Sequence, residues 1–287
     1  IWNIGRFLIL NFDGNYQPLK QLQIEDKWIL YQLDNVIESV NKGIENCEFN
    51  KTAKLLYDFT WHKFADWYIE TIKTRKDKNF AISNALFVFE NLLKLHHPYM
   101  PFISEELYQK MPFKKKISIM QEEFPSKYGF DYKEEFENYE FLRSLIEEIR
   151  EVKGIFKVQN RKDIKIYIHS ETEEKLKDLL KEHFRIIRFL GGIESFSETN
   201  EKLKNSAVIF LNKFLGFLIL ENYDFEKEKK RLKDELETVE KLYNSIKEKL
   251  NDNEFLNKAP KQIIESQKNK LLELENRIEK LRKILKA

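Results

Sequence analysis

The side chains in this 287-residue sequence whose placement could do chemistry are clustered cations, although Lys and Arg (50) barely outnumber Asp and Glu (48) overall. From Glu226 onward, 17 Lys and Arg face 13 Asp and Glu, a surplus of four; the chain as a whole carries only +2, so the remainder is net −2. Lys247, Lys249, Lys258, Lys261, Lys268 and Lys270 gather toward the middle of that segment. Ammonium groups clustered in this way suit contact with backbone phosphate, although abundant Lys and Glu also suit the flanks of a coiled coil. Lys114-Lys115-Lys116 is a second basic run, read as a solvated face or a phosphate contact. His96 and His97 have no further histidine or carboxylate at metal-ligand spacing and read as structural, so no metal site is expected. Cys47 is the only cysteine, which leaves no internal disulfide and no cysteine zinc cluster and fits a reducing, cytoplasmic setting. A Gly-rich phosphate loop is missing too.

The elements that must position these groups are chiefly helices. Charged residues make up 34% and Gly plus Pro only 14 residues (8 and 6), a composition that favours helix over a loop-rich module. Ile29, Leu33, Val36, Ile37, Val40 and Ile44 recur at three and four. Leu55, Leu56, Phe59, Trp67, Tyr68 and Ile72 form a second stripe, and Ile82, Ala85, Leu86, Phe89, Leu92 and Leu93 a third. Trp67 and Tyr68 therefore belong to the core. Trp28 sits off its stripe, on the side of Gln32 and Asn35. Gly43 and the 76–79 stretch punctuate the stripes, and Pro98 and Pro101 stop one helix, with Ser104 as the expected cap of the next. Ile164, Ile166 and Ile168 alternate as a half-buried strand, 171–190 reads as one helix ending at Gly191-Gly192, and 208–211 with 217–220 read as a β-hairpin. Phe225, Leu232, Leu236, Val239, Tyr243, Ile246 and Leu250 keep a heptad rhythm, resumed by Ile264, Leu271, Leu274, Ile278, Leu281 and Leu285. The expected fold is mainly α: an antiparallel helical bundle with a trailing loop over 1–132, a small α/β subdomain over 133–224, and an antiparallel coiled-coil hairpin over 225–287. The most apolar run, 207–220, is broken by Asn212, Lys213 and Gly216 and is too short to span a membrane.

Several segments carry a resemblance. Leu95-His96-His97-Pro98-Tyr99-Met100-Pro101-Phe102-Ile103-Ser104-Glu105-Glu106-Leu107-Tyr108 resembles a signature of the anticodon-binding domain of class I aminoacyl-tRNA synthetases. Trp2-Asn3-Ile4-Gly5-Arg6-Phe7, Asp26-Lys27-Trp28-Ile29-Leu30 and Phe64-Ala65-Asp66-Trp67-Tyr68-Ile69-Glu70 are similar to its valyl and isoleucyl members. Asn251 to Leu271, with Lys258-Ala259-Pro260, resembles the turn of the valyl family's C-terminal arm. This implies a tRNA-binding C-terminal portion of a valyl-tRNA synthetase, whose bundle reads the anticodon and whose coiled coil braces the tRNA elbow. The resemblance further implies that Trp28 stacks on an anticodon base, where the residues alone also allow a tryptophan at the edge of the bundle core. It implies that Arg6 contacts base or phosphate, with Asn3 orienting it or else capping the helix, and that Asn84 and Val88 approach the anticodon loop, the alternative being a bundle-surface pair. The six arm lysines would meet backbone phosphate.

Neither the His-x-Gly-His nor the Lys-Met-Ser-Lys-Ser string of the class I catalytic domain occurs. The portion at hand is thus expected to hold no catalytic residue and no cofactor. ATP and magnesium belong to the parent enzyme, which would ligate valine to tRNA(Val). The chain begins with Ile1 rather than Met, so it is read as a piece of something larger. A single copy, free of membrane, is expected. The alternatives are the corresponding region of an isoleucyl or leucyl enzyme and a coiled-coil interaction scaffold.

Overall fold

The computed structural model describes residues 1–160, 163–211, 213–220, 223–252 and 260–286. The chain divides into two compact units, Ile1–Ser144 and Leu145–Ala287.

In the first unit, α1 covers Trp2–Leu10, α2 Ile24–Glu45 and α3 Phe49–Asp58. The helix of α3 continues through wide i→i+5 turns over Phe59–Ile69 and closes at Glu70–Ile72. Next come α4, Lys78–His96, and α5, Pro101–Gln109. The helix α6, Lys133–Ile155, runs on into the second unit. The three apolar stripes meet as predicted: Ile29, Leu33 and Ile37 of α2, Leu56 and Phe59 on the α3 helix, and Leu86, Phe89 and Leu92 of α4 are all buried. Trp67 and Tyr68 are in that core.

Two helix boundaries differ from the expectation. Gly43 does not end α2 but lies inside it; a Cβ there would clash with the Thr52 methyl, so the missing side chain is what lets α3 fold back against α2. The second proline does not merely precede a cap at Ser104. Pro101 is itself the first residue of α5, where its absent N–H costs nothing. The Ser104 hydroxyl instead bonds back to the carbonyls of Met100 and Pro101 at 2.8 and 3.1 Å and meets His97 Nδ1 at 2.8 Å.

Charge is also buried here. Asp26 accepts the Gln23 N–H (2.9 Å) at the start of α2, the Tyr68 hydroxyl (2.6 Å) and Arg75. Arg75 in turn grips Asp77 and the Gln21 carbonyl. Burial, opposed by Arg75, pushes Asp26 up to about 6. Further along α2, buried Asp34 accepts three consecutive backbone N–H groups, from Tyr128 (2.9 Å), Gly129 (2.7 Å) and Phe130 (2.7 Å). That carboxylate fixes the loop after α5.

The second unit holds β1 (Ile164–His169), α7 (Glu174–Glu182), α8 (Phe184–Gly191), β2 (Ser195–Thr199), β3 (Ala207–Leu211) and β4 (Phe214–Leu220). The sheet order is β2-β1-β4-β3, with β1 and β2 parallel and the other pairs antiparallel. The predicted single helix over 171–190 is broken at His183, and it stops at Gly192 in the left-handed conformation. The hairpin is tighter than expected, Leu211 pairing with Phe214.

Two long helices complete this unit, α9 (Phe225–Asn251) and α10 (Lys261–Lys286). They pair with each other, burying Leu232, Ile246, Ile278 and Leu281. Arg277 bonds to Glu235 (Nε 3.2 Å, Nη2 2.5 Å) and Arg282 to Glu240 (3.1 and 2.7 Å), clipping the helices in antiparallel register. At the root, Arg231 donates to the Ile155 carbonyl (3.1 Å), Lys280 pairs with Glu151 (2.7 Å), and Phe156 meets Phe225 edge to face.

Candidate nucleic-acid interface

Exposed cations and exposed aromatic faces are the chemistry that nucleic acid recognises, so the interface is built from the surface rather than from a cleft. On α1, Ile4 and Leu8 turn inward because they recur four apart, which sets Trp2, Asn3 and Arg6 outward. Asn3 lies inside the helix rather than capping it. Among the described residues, the side chains of Asn3 and Arg6 enter no hydrogen bond or ion pair, so both keep their donor capacity for a ligand.

The three other anticodon-side candidates are corrected by the structure. Trp28 is fully buried: its indole N–H donates to Glu140 (2.9 Å) and its ring lies 4.5 Å from that of Tyr139. The side of α2 that its own stripe leaves open is covered by α6, so the ring has no free face for a base. Asn84 is buried as well. Its amide accepts the Leu19 N–H (2.6 Å) and donates to the Lys20 carbonyl (3.2 Å), which uses it to hold the loop before α2. Val88 is completely enclosed in the bundle core.

The arm candidates fare differently. Lys247 and Lys249 on α9 and Lys268 and Lys270 on α10 are exposed, and among the described residues none enters an ion pair. Lys247 lies 5.6 Å from the Tyr243 ring. Lys258 lies outside the described residues, as does most of the turn predicted around it, and the side chain of Lys261 is likewise not described. The arm's charges are thus sorted. Arg277 and Arg282 are taken up in cross-bridges, and Arg277 holds the Glu235 carboxyl below the usual range. The lysines toward the far ends of both helices remain available.

One feature escapes the sequence reading. Tyr57 and Trp61 project from the α3 helix, 57% and 49% exposed, with ring planes 7° from parallel and centroids 6.5 Å apart. The signal is there in the sequence: two aromatics four apart that fall off the buried stripe of their own helix. Among the described residues, no group of His, Cys, Asp and Glu is placed to hold a metal ion, and no helix is long and apolar enough to cross a membrane.

Comparison with known proteins finds two families along the chain. Residues 26–168 match the family described as the anticodon-binding domain of tRNA ligase, and residues 224–287 match the valyl tRNA synthetase tRNA binding arm. Over the whole chain the sequence is 34% identical to the valine–tRNA ligase of Thermotoga maritima, which it covers to 33%. It is 37% identical to that of Pseudothermotoga lettingae over 99% of the chain and 33% of the relative. The match to the Aquifex aeolicus enzyme is 30% over the full chain and 26% of the relative. The chain therefore spans about a third or less of the length of these curated relatives.

Proposed function

The chain belongs to the valine–tRNA ligase family, and from that premise we propose that it holds tRNA(Val) for an enzyme that joins valine to this tRNA at the expense of ATP. In this reading the first unit contacts the anticodon region, with Arg6 and Asn3 of α1 as donors to RNA. The helical pair α9 and α10 braces the tRNA elbow through backbone phosphate. ATP and magnesium would be handled by the part of the relatives' length that this chain does not span. The match of the 224–287 segment to the valyl arm favours this over an isoleucyl or leucyl assignment.

The observation that carries the reading is the sorting of charge on the arm. Arginines bridge the two helices, while Lys247, Lys249, Lys268 and Lys270 stay exposed and unpaired among the described residues. Lysines held in this way give affinity for phosphate with little base preference. Because α9 and α10 bury their apolar seams against each other, the arm asks for no second copy, and a monomer is proposed over a dimerising scaffold.

The test is tRNA retention in a gel shift at several salt concentrations. Replacing the four lysines by alanine should weaken binding of cognate and non-cognate tRNA by similar factors. It should also flatten the log–log salt slope by roughly 3 to 4, because each phosphate left without its ammonium takes about 0.9 from that slope. The chain alone should show no valine-dependent ATP–pyrophosphate exchange. Loss of discrimination among tRNAs with affinity unchanged would sink the bracing role, and a dimer in light scattering would favour the scaffold.

A further inference from the structure

The helix through 49–72 carries two aromatic rings that the bundle core leaves unused. Tyr57 and Trp61 stand one turn apart on its outer side, while Leu56, Phe59, Thr60 and Phe64 around them are buried. Their planes are nearly parallel, but at a centroid separation of 6.5 Å and about half exposed, neither ring closes the other's face. Exposed flat apolar faces of this size are a standing invitation to a ligand with a flat face of its own.

The surroundings say what kind. Positions 50, 54, 57 and 61 form one helical stripe, so the rings continue a line that begins with Asn50 and Lys54. Lys54 is exposed and enters no ion pair among the described residues, unlike Lys51, which is tied to Glu48 at 2.8 Å. Half-buried Asp58 lies one turn beyond Lys54 and can accept from an exocyclic amine. The His62 ring stands edge-on to Tyr57 at 5.9 Å, with its Nδ1 3.5 Å from Asp66. Here two isolated planes are set among a cation, an amide and a carboxylate on the same helix. That pattern fits an unpaired base with its phosphate.

We propose that Tyr57 and Trp61 are a stacking platform for an unpaired nucleobase of the bound tRNA, with Lys54 holding the adjoining phosphate. The assignment rests on the tRNA-binding reading above and adds to it a site that the sequence motifs did not indicate. It also supplies the exposed aromatic faces that buried Trp28 cannot offer.

The experiment uses the chain with a tRNA(Val) transcript. Trp61→Ala and Tyr57→Ala should each weaken binding roughly tenfold, Trp61→Phe should recover most of the loss, and all three should melt with the parent because the rings are outside the core. Lys54→Ala should reduce the salt slope by about 0.7, the value for one phosphate of a single strand. In a Trp2→Phe background, which leaves buried Trp28 and Trp67 beside Trp61, the part of the emission that Trp61→Phe removes should be quenched on RNA binding. If the parent chain binds tRNA with its expected salt dependence while Trp61→Ala binds equally well and no quenching occurs, the platform is wrong and the wider reading stands. A parent chain that binds no tRNA overturns both.

Discussion

Trp28 lies on the side of α2 that its own helix would leave to water, and Glu140 and Tyr139 of α6 take that side from far along the chain. Truncation to alanine removes a large core ring and a buried hydrogen bond together. Trp28→Ala should therefore cost about 3–5 kcal/mol of unfolding free energy, measured by chemical denaturation, while the folded fraction binds tRNA as before. His96 makes a second residue-scale prediction. It is buried against the Thr60 hydroxyl (Nε2 to Oγ1 2.8 Å), and burial pushes its pKa down to about 4. The unfolded chain takes up that proton near pH 6.5, whereas the folded chain resists until about 4. Stability from this group is complete above pH 6.5 and is lost as pH falls toward 4. Asp26, with its pKa raised to about 6, acts in the opposite sense over an overlapping range. The clean measurement is the difference between parent and His96→Gln, which should fall across that window and level off below about pH 4.

At the scale of elements, legibility followed the strength of local pattern. The alternation of Ile164, Ile166 and Ile168 and the heptads of the arm each present one unambiguous face, and both formed where expected. Strand β2 went unread because Ser195-Phe196-Ser197-Glu198-Thr199 has no apolar alternation; it is a strand only because β1 offers it a parallel partner. The same distinction separates the site residues. Asn3, Arg6 and the arm residues Lys247, Lys249, Lys268 and Lys270 lie on faces whose exposure is set by their own helix, whereas Trp28, Asn84 and Val88 are enclosed by segments brought in from elsewhere. The loop around 128–130 is likewise held by a remote group, Asp34. Asp34→Ala would leave three part-buried backbone hydrogen bonds without their acceptor at once, and a loss of about 1–3 kcal/mol is expected. Faster proteolysis should be confined to this loop.

For the molecule as a whole, the pairing of α9 with α10 has a consequence beyond adhesion. At 27 residues α9 is about 40 Å long, and Lys247 sits roughly 33 Å along it from Phe225. The cross-bridges from Arg277 and Arg282 keep that interval rigid, so the lysines are held at a set distance rather than merely tethered. Excising one heptad from each helix would preserve the seam and shorten the span by about 10 Å, at roughly 1.5 Å per residue. Such a protein should melt as a folded chain yet lose as much tRNA affinity as one lacking the four lysines. In the proposed tRNA complex the arm would then serve as a ruler, fixing how far along its own length backbone phosphate is met, a dimension no base sequence spells out.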